Sequence, residues 1–290
     1  SIGRAKMTIS KKYGTALKTT LASGLLMLTA LLYGSEIFRI EFKDGQMHTN
    51  GGKAVVRNSP SIENTVENGT FLTKITSEKQ GRGGLQLQFD TPKNSPDGMV
   101  QNGQINGAIE FFIKYNRPVN ADSPVNLFRV IDFGSQKEGM RVALYNFGNR
   151  RKQCGELWLD LVSGRNIFNI NGKQKKIVRQ TANYTLEANQ LYHFALVFAT
   201  TPEKKLRIDL YAAENGAEIV PAKNKPLLSL TADVAETELA KGFQCNPHLN
   251  SFMMNSNKDS IGLERWLGKC VFYNQVPQSF PGHETFGGKP

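Results

Sequence analysis

The sequence predicts an all-β fold, a two-sheet antiparallel sandwich with at most one or two short helices. Three observations carry this reading. From Glu36 onward apolar residues recur with period two, the spacing of a strand with one buried face. No helical segments alternate with these runs, which excludes a parallel α/β arrangement. The 27 glycines and 17 phenylalanines among 290 residues fit short, well-packed strands joined by turns. A 39% hydrophobic share supplies one sizeable core, and a sandwich often uses this much chain in one piece.

The first 35 residues are a different kind of sequence. Residues 1–6 read as an upstream extension, and Met7 fits a true start. Lys11, Lys12 and Lys18 then precede the apolar stretch LASGLLMLTALL (21–32), followed by the small residues Gly34 and Ser35. Basic, apolar and small-residue regions in that order are the signature of a secretory signal peptide. The stretch falls short of the roughly 20 residues that span a bilayer. Cleavage near Gly34–Ser35 and a secreted, periplasmic or cell-surface location are therefore expected. An uncleaved anchor reaching back to Ala16 is the alternative and the only expected contact with a membrane. No Cys follows the stretch, which argues against a lipid anchor.

The leader also changes the charge argument. The whole chain carries 36 basic and 25 acidic residues, a net +11. Arg4, Lys6, Lys11, Lys12 and Lys18 lie in the leader with no acid, so the remainder holds 31 against 25, or +6. That excess is too mild to signal nucleic acid.

Strands are expected at IFRIEF (37–42), LQLQF (85–89), IEFFIKY (109–115), LFRVIDF (127–133), MRVALYNF (140–147), GELWLDLV (155–162), YHFALVF (192–198) and LRIDLYAA (206–213). Each is rich in β-branched and aromatic residues and is bounded by turn formers. TADVAETELAKGF (231–243) favours a helix, with Thr231 as N-cap and Gly242 past its end. With no linker or repeat in sight, one domain fills 36–276. Residues 277–290 read as an irregular tail, poorly tied down.

The order of these segments resembles the laminin G-like jelly rolls of the concanavalin A-like lectin/glucanase superfamily, in their bacterial secreted form. IFRIEFKDG (37–45) is similar to the opening strand, and GGLQLQFD (83–90) to a G-x-A-L-x-F-D strand. INGAIEFFIK (105–114) resembles the strand that often reads f-T-i-e-a-W-v-k. QLYHFALVF (190–198) is similar to W-h-H-v-A-v-t with Tyr192 for Trp, and KKLRIDLY (204–211) to its partner. ERWLGKCVFYN (264–274) resembles the closing strand but lacks its Asp. The resemblance implies a jelly roll and a carbohydrate- or matrix-binding role, and it allows a structural calcium ion. The fold also hosts hydrolases and adhesion modules, so fold alone does not choose among them.

His193, one of four histidines, has no Ser, Cys, Asp or second His at motif spacing, so a structural role is expected. Glu156, Trp158 and Asp160 share one strand face, opposite Leu157, Leu159 and Leu161. Glucanases of the superfamily carry E-x-D-x-E on such a strand. Here Trp158 stands for the central Asp and Asp160 for the last Glu. Cα atoms four residues apart on a strand are about 13 Å apart, too far for easy convergence on one bond. Glycoside hydrolysis is thus the alternative, and no catalytic residue is assigned. With leucines supplying the buried face, Trp158 is expected to be exposed on the outward one. There its indole can stack on a sugar while Glu156 and Asp160 accept hydroxyl hydrogen bonds. Arg141 and Tyr145 on the preceding strand join that surface. Packing under a loop is the competing reading for Trp158, and a structural, protein-binding module the competing reading for the chain.

Two further expectations concern cysteines and charge. Cys154, Cys245 and Cys270 are odd in number, leaving at least one unpaired thiol in an exported chain. The laminin G resemblance favours a Cys245–Cys270 bridge, while three buried free thiols are the alternative. NRRKQ (149–153) and GKQKK (172–176) read as hairpin tips around a turn at Ser163-Gly164. Successive hairpins would bring Arg150, Arg151, Lys152, Lys173, Lys175 and Lys176 to one basic rim, suited to an anionic polysaccharide. The expected partner is a polysaccharide or glycoconjugate, bound by a monomer.

Overall fold

Alternation fixes which face of each strand is buried, and the burial fixes the register. A slip of one residue would turn every inward Phe, Leu or Val to water, at about 1.5–3 kcal/mol per side chain. A computed structural model describes residues 36–43, 46–57, 62–67, 70–76, 84–89, 100–101, 104–121, 128–134, 139–235, 237–238, 251–252 and 264–282. The leader 1–35 lies outside these residues.

The described residues form strands β1 (Glu36–Lys43), β2 (Gln46–Asn50), β3 (Gly52–Arg57), β4 (Ile62–Glu67), β5 (Thr70–Thr76), β6 (Gly84–Phe89) and β7 (Val100–Gln101). There follow β8 (Gln104–Tyr115), β9 (Phe128–Gly134), β10 (Met140–Asn149), β11 (Cys154–Ser163), β12 (Phe168–Ile170), β13 (Lys173–Lys175) and β14 (Ile177–Asn183). β15 (Tyr192–Thr200), β16 (Leu206–Glu214), β17 (Leu228–Ala232), β18 (Ser251–Phe252) and β19 (Glu264–Tyr273) complete the order. One sheet runs β17-β16-β15-β8-β19-β1-β2, with β5 also pairing β19, β4 pairing β5, and β7 pairing β8. The other runs β14-β11-β10-β9-β18-β6-β3, and β12 with β13 makes a separate ribbon. The result is an antiparallel jelly-roll sandwich.

The main core lies between the sheets. Phe111, Ile113, Phe194 and Leu196 from one sheet meet Val142, Leu144, Leu157, Leu159 and Leu161 from the other. β19 keeps its phase only through a bulge between Leu267 and Cys270. Arg265 and Leu267 share one phase, Cys270 and Phe272 the next, and all four are buried. Gly155 is obligatory, because a Cβ there would lie 2.0 Å from the Val119 carbonyl and 2.8 Å from the Thr185 Cα.

Two expectations are corrected. Thr231 does not cap a helix. It belongs to β17, where Leu228, Leu230 and Ala232 turn inward with period two. Helical structure is described only at Thr237 and Glu238, and residues 239–250 lie outside the described set. The tail, irregular as expected, is not loose through Gly282. Phe280 is fully buried and pairs with Ile219 through two backbone hydrogen bonds of 2.7 and 3.0 Å. It covers Val271 and Tyr273 on the outer face of the larger sheet.

Candidate functional site

The outward face of β10 and β11 has the expected membership. Tyr145 lies opposite Trp158, Ala143 opposite Asp160 and Arg141 opposite Val162, so Arg141, Tyr145, Glu156, Trp158 and Asp160 share one face. Its exposure does not follow. Glu156 is 2% exposed, Asp160 3% and Tyr145 8%, while Trp158 is half-buried. Packing, the competing reading for Trp158, takes most of its ring.

The cover comes from partners that the short-range pattern does not reveal. Arg179 of β14 lies opposite Asp160 and donates to both carboxylate oxygens at 2.6 Å. Its guanidinium also sits 4.0 Å from the centre of the Trp158 ring. Phe147 meets the same ring edge-on at 4.6 Å. Glu156 accepts hydrogen bonds of 2.6 Å each from Lys152 Nζ and Asn149 Nδ2. Burial acts to raise this carboxyl, but those two donors outweigh it and hold Glu156 below its ordinary value. Both carboxylates are thus held by partners within the fold, Glu156 by Lys152 and Asn149 and Asp160 by Arg179.

The basic rim is also corrected. Arg150, Arg151 and Lys152 turn the chain at the Cys154 end of β11. After Ser163 the chain does not fold back beside β11. It makes the β12–β13 ribbon around Asn171-Gly172, both at positive φ, and only then returns as β14. The Ser163 amide bonds the Lys176 carbonyl at 2.9 Å, so Lys173, Lys175 and Lys176 belong to the other end of β11. The ten-residue strand holds the two groups about 30 Å apart.

That detour builds a cleft of about 700 Å³. The ribbon contributes Asn169, Ile170, Asn171, Gly172 and Lys175, and β14 contributes Ile177, Val178, Arg179 and Gln180. Lys205, Thr231 and Asp233 close it from the other sheet. β14 and β17 are the edge strands of the two sheets, so the cleft lies where the two sheet edges meet. A backbone bond from Asn169 to the Asp233 carbonyl, 3.3 Å, ties the ribbon across. Ile177, on the lip, is 46% exposed, the large hydrophobic most open to water among the described residues. IVRQTAN (177–183) gives a faint signal of its edge strand, with Val178 in and Ile177, Arg179, Thr181 and Asn183 out.

His193 has a structural place. It is fully buried, its Nδ1 donating to the Ala217 carbonyl at 2.7 Å and its Nε2 lying 3.0 Å from Glu110. Tyr273 donates to the other Glu110 oxygen at 2.8 Å, and Lys269 Nζ lies 3.3 Å away. Cys270 is a free, fully buried thiol and Cys154 a free, half-buried one, so the expected bridge from Cys270 is not formed. Cys245 lies outside the described residues. Among those residues no three His, Cys, Asp or Glu side chains converge to hold a metal. No described helix is long and apolar enough to cross a membrane.

No protein-family model matches the chain, and no curated protein does. Solved structures do. A botulinum neurotoxin type C structure matches with a TM-score of 0.53 at 13% identity, over 89% of this chain and 51% of that one. The botulinum neurotoxin serotype C1 binding domain gives 0.53 at 12%, over 83% and 49%. The binding domain of botulinum neurotoxin DC, in complex with rat synaptotagmin II, gives 0.50 at 13%, over 83% and 48%. This chain thus spans about half the length of these neurotoxin structures, and the likeness is one of fold: a β-sandwich.

Proposed function

We propose that this chain is an exported, non-catalytic carbohydrate- or matrix-binding module of laminin G-like type. It holds an oligosaccharide in the cleft between the β14 and β17 edges. The observation that carries the reading is the lining of that cleft. Asn169, Gln180, Thr231 and Asp233 offer amide, hydroxyl and carboxylate groups of the kind sugar hydroxyls pair with. Ile177 supplies an exposed apolar surface for the face of a pyranose ring. The expected surface of Trp158, Glu156, Asp160, Arg141 and Tyr145 lies outside the cleft lining, and Arg179 touches both, lining the cleft while holding Asp160 and covering Trp158.

The fold neighbours support the class of partner without fixing it. The type C neurotoxin structure reports dependence on interaction with two ganglioside molecules, and the DC binding domain is seen with a protein, synaptotagmin II. The locked carboxylates of Glu156 and Asp160 speak for binding over hydrolysis. The test is a glycan array probed with the purified chain, alongside a reducing-end assay on the glycans it retains. Retention without new reducing ends is expected. Release of reducing ends would make the chain a hydrolase, and failure on the array with capture of a purified protein ligand would make it a protein-binding module.

A further inference from the structure

The charges around the cleft are unevenly committed. Arg179 spends its guanidinium on Asp160. Lys152, Lys74 and Lys269 elsewhere are each in an ion pair with a glutamate. Lys175 and Lys205, which line the cleft, are in none among the described residues. Glu203, on the same turn as Lys205, feels its field but is fully exposed and bonds Thr201 instead. Lys175 rides on the ribbon beside β14, whereas Lys205 leads into β16 of the opposite sheet. Two uncommitted ammonium groups therefore face one concave, partly apolar space from its two walls. Such walls focus a field that would be weak on an open surface. Asp233 is the one acid in the lining, suited to hydroxyls near the anionic group.

From this we infer that the cleft selects acidic saccharides, with Lys175 and Lys205 closing from the two sheet edges on a carboxylate or sulfate of the sugar. The inference rests on the glycan-binding reading above and names its ligand class. It also moves the anionic contact from a rim of six residues, which the fold separates, to two lysines that the fold brings together.

The test is calorimetric titration of the purified chain with an oligogalacturonate, its carboxyl-reduced neutral counterpart and a sulfated oligosaccharide of equal length. At least one charged probe is expected to bind about tenfold or more tightly than the neutral one, with affinity falling as salt rises. K175Q/K205Q should erase that preference with an unchanged melting temperature, since both side chains are exposed. K173Q/K176Q removes the same charge from the same hairpin outside the cleft lining and should leave the preference nearly intact. Equal binding of charged and neutral probes overturns the acidic selectivity and leaves the glycan reading standing. An equal loss in both double variants reduces the effect to unspecific charge and also overturns it. Binding of none of the probes, with an array blank for acidic and neutral glycans alike, ends both readings.

Discussion

The guanidinium of Arg179 lies 4.0 Å from the centre of the Trp158 ring while its Nε and Nη2 each donate to Asp160 at 2.6 Å. One side chain on an edge strand thereby roofs an aromatic and neutralises a carboxylate on the next strand. Arg179→Ala should strand Asp160, 3% exposed, without its partner. A loss of about 2 kcal/mol is expected, below that of a fully buried pair because Arg179 is partly solvated. Arg179→Lys should fall between, since an ammonium keeps the charge and loses the fork. Denaturant unfolding measures both. With only two tryptophans in the chain, a shift in emission should accompany the Ala variant.

Trp158→Ala should cost about 2 kcal/mol, less than a fully buried ring because Trp158 is half-buried. The outward phase of Trp158 alone would predict almost no loss. The structure predicts a lower melting temperature because Phe147 and Arg179 both pack on the ring. An unchanged melting temperature would mean that these contacts do not form.

Glu110 sets an acid limit on stability. Burial acts to raise its carboxyl, but the bond from His193, the charge of Lys269 and the Tyr273 hydroxyl outweigh it and hold Glu110 below its ordinary 4.5. A folded value below the unfolded one contributes stability that is complete above the unfolded value and is lost as pH falls through the folded one. Melting temperatures should therefore drop as pH falls below the ordinary carboxylate value of 4.5. Glu110→Gln should lower the melting temperature at neutral pH and flatten that acid limb. A parallel pH profile in the variant would remove Glu110 from the account.

Asn146 is buried on the inner face of β10, opposite Leu157, and neither its oxygen nor its nitrogen has a hydrogen-bond partner among the described residues. An unpaired buried amide costs about 1–3 kcal/mol. Asn146→Leu is close in volume and should raise the melting temperature. A fall would show that the amide is satisfied by bound water.

What the sequence made legible divides along burial. The long strands β8, β10, β11, β15 and β16 follow from runs such as IEFFIKY and YHFALVF, in which the core itself imposes the alternation. β13 and β14 expose nearly every side chain, so KQK and IVRQTAN have little apolar pattern to read, and from the sequence the ribbon reads as a plain hairpin tip. The phase of Glu156, Trp158 and Asp160 is legible from Leu157, Leu159 and Leu161. Their burial is not, because Arg179 reaches them across the β11–β14 pairing rather than along the chain. The tail misleads for the same reason: Phe280 is held by Ile219, sixty-one positions earlier.

The central claim, that the ligand sits between the two sheet edges, is tested most directly by hydrogen–deuterium exchange of the chain with and without a glycan it retains. Protection is expected in peptides covering 168–180, 203–207 and 229–233, which come from both walls of the cleft. Protection confined to peptides away from these segments, or to one wall alone, would contradict it.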